Sequence, residues 1–149
     1  MRDVLDHMLV LGGAFGYAFR GEEVPTIEAP PMNGRVPAAE FRKTMDDLIE
    51  VVRSPGAMKR TVVSPMGEMP GETFARLVAF DGLVHGWDLA RATGQEYRIS
   101  DTLVADVDQF ARVAITDGMR DGDTFKAAIT APHGATPVEQ LVAFSGRSL

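Results

Sequence analysis

An unbroken helical pattern from Gly71 to Ala92 constrains this chain more than any other feature, because its apolar stripe carries two ionisable side chains. With Phe74 taken as zero, a step of about 100° per residue puts Leu77, Val78 and Ala92 at about 300°, 40° and 0°, on one face. Asp81 then falls at about 340° and His85 at about 20°, in the middle of the stripe expected to be driest. Burying an unpaired carboxylate there costs on the order of several kcal/mol, so Asp81 needs a partner or a cation. Four residues apart on a helix, the two side chains have Cβ atoms about 5–6 Å from each other, a spacing that suits two ligands of one ion. A hydrogen-bonded Asp81–His85 core pair is the alternative that spacing leaves open. A second ridge of the same helix, Ala75, Ala79, Gly82, Gly86 and Ala90, consists of small residues only. Since Gly inside a helix costs about 1 kcal/mol relative to Ala, the ridge predicts close approach of another helix.

The rest of the chain predicts four further helices and hence an all-α protein. Val4, Met8, Leu11, Phe15 and Phe19 recur at helical spacing near the start. His7 lies toward that stripe, one turn from Leu11 and followed at helical spacing by Ala14 and Ala18. It thus offers a third ligand from a second helix: His7, Asp81 and His85 make a two-histidine, one-carboxylate set with positions left for water or substrate. Gly12-Gly13, inside the same pattern, predicts close helix packing. Gly21 to Pro37, rich in proline, excludes a regular element. The second helix begins at Pro37 or Ala38, carries Phe41, Met45, Leu48, Ile49 and Val52 on one side, and stops before Pro55-Gly56. The β-branched run Thr61-Val62-Val63, followed by Pro65-Met66-Gly67, predicts a short hairpin or extended arm near 60–70.

Gly94 closes the third helix. Ser100 caps the fourth, which carries Leu103, Val104, Val107, Phe110, Ala111, Ala114 and Ile115. Residues 124–135 are expected to be irregular or extended. Thr136 and Pro137 then open a short fifth helix with Val138, Leu141, Val142 and Phe144. Four substantial helices and a short one make a helical bundle, expected as a single domain over residues 1–149.

Composition removes several function classes. With 15 Lys+Arg against 21 Asp+Glu the net charge is −6, which argues against nucleic acid or an anionic membrane as partner. The absence of cysteine excludes a disulfide framework, a thiolate zinc finger, an iron–sulfur cluster and a cysteine nucleophile, so any thiol must arrive as a substrate. The apolar stretch Met8–Phe19 falls short of the roughly 20 residues that span a bilayer, and Asp3 and Asp6 stand where a leader would be basic. A cytoplasmic protein is the expectation. No P-loop, dinucleotide fingerprint, His-Glu-x-x-His or nucleophile elbow occurs. Asp117, Asp121 and Asp123 miss the calcium-hand spacing and read as a solvated turn, and His133 reads as exposed loop. Trp87, at about 220°, reads as packing. Asp88, at about 320°, sits one turn beyond His85, where it either orients that imidazole from behind or pairs with Arg91 at the surface.

The stretch FDGLVHGWDLARATG (residues 80–94) strongly resembles the signature of an actinobacterial branch of the DinB-like superfamily. That branch is similar to the metal-binding domain of mycothiol-dependent maleylpyruvate isomerase. RDVLDH (residues 2–7) resembles the family's first-ligand motif, and residues 61–71 and LVAFSGR (residues 141–147) also resemble it. The resemblance implies a DinB-like four-helix bundle in which His7 and His85 match the two histidine ligands. Asp81 takes the place where the superfamily has His or Glu. It further implies a bound metal and a low-molecular-weight thiol such as mycothiol as cosubstrate; for these ligands a divalent ion is expected, zinc first with nickel or iron(II) as alternatives. The activity implied is thiol S-transfer to, or isomerisation of, a small electrophile; a non-catalytic dimeric metal-binding or stress-response module is the alternative. The family's first bundle helix has no counterpart here, so either the start is truncated or a partner subunit covers the face. A homodimer is therefore expected. Nothing in the chain resembles the isomerase's further C-terminal domain.

Overall fold

The computed structural model describes residues 2–28, 37–64, 66–120 and 125–149. Its regular elements are α1 (Arg2–Arg20), α2 (Pro37–Arg53), β1 (Thr61–Ser64), β2 (Gly67–Pro70), α3 (Gly71–Thr93), α4 (Asp101–Ala114) and α5 (Pro137–Phe144). One-turn 3-10 segments lie at Ala57–Lys59 and Asp117–Met119. The protein is mainly α-helical with one small hairpin, as the sequence predicts. Residues 29–36 of the proline-rich segment, Pro65 of the hairpin turn, and Asp121, Asp123 and Thr124 lie outside the described residues. Residues 125–135 hold no helix or strand, as expected. No helix among the described residues is long and apolar enough to cross a membrane. The chain divides into two compact units, Met1–Val78 and Ala79–Leu149, with the boundary inside α3.

In the first unit α1 packs on α2 around Ala18, Phe19, Leu48, Val62 and Phe74. The Phe74 ring meets Phe15 edge-on with centroids 5.3 Å apart and lies 5.1 Å from Phe19. The buried residues of α1 are Met8, Leu9, Gly12, Gly16, Ala18 and Phe19, so its inner face is turned from the Val4–Leu11–Phe15 line toward the glycines. The reason is steric. A Cβ on Gly12 would come within 2.6 Å of the Met45 Cε and 3.0 Å of the Thr44 Cγ2, so the missing side chain admits α2. Gly13 instead faces the Ile27 side chain. Ile49, expected inside, is exposed on α2.

The hairpin is antiparallel, with Val62 opposite Met69 and Val63 opposite Glu68. Successive strand residues face opposite sides; accordingly Val62 is fully buried and Val63 points outward. Arg60 ties the foot of the hairpin to the end of α1 by donating to the Phe19 carbonyl. Gly71, at the junction of β2 and α3, donates its N–H to the Arg60 carbonyl at 2.8 Å. A Cβ there would lie 2.0 Å from the Ala57 carbonyl oxygen and 3.0 Å from its carbon. Those are backbone atoms and cannot swing aside. Gly71→Ala is expected to cost about 1–3 kcal/mol through overpacking, read as a lowered urea midpoint; an unchanged midpoint would contradict it.

In the second unit the core joins Phe80, Leu83 and Val84 of α3 with Val104, Val107 and Ala111 of α4, Ile115 and Leu141. Gly94, in the left-handed region at φ 65°, ends α3 as expected. Its N–H bonds the Arg91 carbonyl, and the Gln95 N–H bonds the Ala90 carbonyl. Ser100 occupies the N-cap position of α4 without a side-chain capping bond. Leu103 of that helix is exposed rather than inward. Thr136 caps α5 in a full capping box with Glu139, Pro137 following it. The Thr136 backbone N–H and hydroxyl hold the Glu139 carboxyl below its ordinary value.

The buried side of α3 changes along its length. Phe74 and Leu77 are buried in the first half and Phe80, Leu83 and Val84 in the second, the latter at about 180–280° on the same wheel. The stripe of Asp81 and His85 therefore runs along the margin of the second core. This corrects the expectation that the pair occupies the driest line of the helix, and it explains how the two polar groups remain half-buried.

Candidate metal centre

Asp81, His85 and Asp88 stand at i, i+4 and i+7 on α3, so helical geometry alone stacks them in one row. Their side chains are 29%, 14% and 21% exposed, respectively. The His85 Nδ1 lies 3.0 Å from the Asp88 Oδ2, and its Nε2 lies 3.4 Å from the Asp81 Oδ1. A carboxylate oxygen only accepts, so this contact, shorter than the 3.4 Å from the Arg147 Nη2 to the same nitrogen, favours the imidazole proton on Nδ1, donating to Asp88. In a neutral ring the Nε2 lone pair then faces the Asp81 oxygen. Two lone pairs at that separation repel unless a positive centre lies between them, either a second ring proton or a metal ion.

Asp88 is held in turn by Arg147, beyond the end of α5. The Arg147 Nε lies 3.0 Å from Oδ1 and 2.9 Å from Oδ2 of Asp88. Of the two roles open to Asp88 in the sequence, orienting His85 is the one this geometry supports. Arg91 instead lays its guanidinium 5.0 Å above the Trp87 ring, consistent with a packing role for Trp87. Periodicity does not mark Arg147 as a site residue; the local signal for it is the Gly146-Arg147 pair directly after the short apolar helix.

On the small ridge of α3, Ala75 packs against the first core and Ala79 against the second, but its two glycines show no close approach of a helix among the described residues. A Cβ on Gly86 would fall 2.5 Å from the Tyr97 hydroxyl, whereas one on Gly82 would meet nothing within 4 Å. Tyr97, from the loop after α3, fills the place expected for a helix, and burial pushes its phenol above the ordinary value. His7 belongs to the first unit, on α1, and is exposed; the rotation of that helix toward its glycines takes the buried face away from it. His133 lies in an exposed turn and Asp117 in the exposed 3-10 segment, as the sequence predicts.

The donors suit a divalent transition metal. An imidazole nitrogen and a carboxylate oxygen are ligands that zinc, nickel and iron(II) accept. A histidine whose other ring nitrogen donates to a carboxylate is the usual arrangement of a metal-binding imidazole.

The chain is 37% identical over 101 residues to two uncharacterized proteins of Mycobacterium tuberculosis, one from each of two strains. The alignment takes in 67% of this chain and 56% of each of those proteins, so the chain spans little more than half the length of the curated relatives it matches. No protein-family profile matches the chain, and no solved structure matches it.

Proposed function

We propose that the chain is a DinB-like metal-binding protein in which His7, Asp81 and His85 hold one divalent cation, zinc by first choice. It acts as a metal-dependent, mycothiol-type thiol S-transferase or isomerase on a small electrophile. The observation that carries this is the meeting of the His85 Nε2 and the Asp81 Oδ1 at 3.4 Å while Asp88 occupies Nδ1. A bound cation of this type would acidify a coordinated thiol, so that a thiolate forms near neutral pH. The residues on α3 would supply the donors, and Asp88 would keep the imidazole proton on the side remote from the ion. The four-helix arrangement, a homodimer, a small-molecule substrate and a cytoplasmic setting belong to the same proposal.

Two measurements test it. Protein purified without a histidine tag and soaked in zinc is expected to carry close to one ion per chain. The loaded protein is expected to consume a low-molecular-weight thiol in the presence of an electrophile faster than the uncatalysed background. Metal bound with no thiol loss would leave a non-catalytic metal-binding or stress-response module. No metal in either native or soaked protein would leave only the hydrogen-bonded Asp81–His85 pair. Light scattering that returns the mass of one chain would remove the homodimer.

A further inference from the structure

The turn after α5 is built to return one side chain to α3. Gly146 sits at φ 89°, and a Cβ on it would lie 2.6 Å from the Lys126 Cβ and 2.8 Å from the Ala127 carbonyl oxygen. Only glycine fits both the left-handed backbone and the space. The Gly146 N–H bonds the Ala143 carbonyl at 2.9 Å, and the Arg147 N–H bonds the Val142 carbonyl at 3.2 Å. That pair of bonds closes the helix and reverses the chain.

Arg147 emerges from the reversal with its guanidinium held at two ends. Its Nε bridges the two oxygens of Asp88, and its Nη1 donates to the Ser145 Oγ at 3.1 Å. Ser145 is buried, 5% exposed, and its hydroxyl donates to the Val142 carbonyl at 2.6 Å. The guanidinium is therefore fixed to the backbone of α5, and Asp88 is fixed to the guanidinium. Asp88 in turn stands 3.0 Å from the His85 Nδ1 and can accept its proton, while the Arg147 Nη2 lies 3.4 Å from the same nitrogen, at the long limit of a hydrogen bond.

We infer that Arg147 is a positioning residue for His85. Through Asp88 it keeps the imidazole proton on Nδ1 and aims Nε2 as the ligating nitrogen, an inference that rests on the metal centre proposed above. An ion pair serving stability alone would need only Arg147 and Asp88; the 3.0 Å contact of the same carboxylate with His85 makes the pair part of the site. Lysine cannot replace the guanidinium here. It would carry the charge but not the planar donors that bridge Asp88 while reaching Ser145.

The test compares wild type with R147A, R147K and H85A. Zinc affinity is measured by competition with a chromophoric chelator, and the His85 tautomer of the metal-free protein by nitrogen-15 NMR. The wild-type ring is expected as the Nδ1–H tautomer. R147A and R147K are both expected to shift it toward a mixture and to lose roughly 10–100-fold in zinc affinity, the usual effect of removing a group that orients a metal ligand. An unchanged tautomer and affinity in R147A would overturn the inference, as would full recovery by R147K, which would reduce the role to charge. If wild type and H85A bind zinc equally poorly, the metal reading falls. The tautomer comparison then still decides the positioning role. R147K keeps both measurements available should R147A fail to fold.

Discussion

His85→Ala is expected to lower zinc affinity by about a hundredfold or more. A structural zinc site contributes about 10–16 kcal/mol through four ligands, so one ligand carries roughly 3 kcal/mol. The loss should be specific to the metal, because Asp88 keeps its two bonds to Arg147 in the variant and no large core side chain is removed. Chelator competition on the variant and wild type, with metal-free melting curves beside them, checks both statements. Asp81→Asn keeps shape but removes the charge, and it should weaken binding in the same direction. Wild-type affinity in the His85 variant would end the proposal of a metal centre on α3.

Phe74→Ala is expected to have the largest effect on stability, about 3–5 kcal/mol. Its ring is 2% exposed and touches both Phe15 and Phe19 of α1. Truncation leaves a cavity among rings whose mutual contacts are worth about 0.5–1.5 kcal/mol each beyond burial. Domains of this size are stable by only about 5–15 kcal/mol, so the variant should be partly unfolded at modest temperature. Urea unfolding followed by circular dichroism measures it, and a loss below about 1 kcal/mol would show that Phe74 does not hold the first core together as a residue of this burial should.

The row Asp81, His85, Asp88 was visible in the sequence because helical spacing alone aligns it. So were Gly94, Thr136-Pro137 and the hairpin, whose signals lie within a few residues of the structure they cause. The rotation of α1 was not visible. A hydropathy pattern centres on Val4, Leu11 and Phe15, and it assigns no direction to Gly12, which matters only once the Met45 and Thr44 side chains of α2 press against it. The ridge around Gly86 announced that something comes close; that it is the Tyr97 side chain depends on the path of the loop after α3.

By itself the sequence determined where the helices begin and end, where the chain doubles back as a hairpin, and which helical row holds ionisable groups. Each of these follows from backbone periodicity and capping over short separations. Only the tertiary structure decided what those groups meet. Asp88 is bound by Arg147, 59 positions away, and not by Arg91 one turn along, because the left-handed turn at Gly146 brings a remote guanidinium back with the right geometry. A contact made across such a distance is set by the packing of whole elements, and no local pattern encodes it.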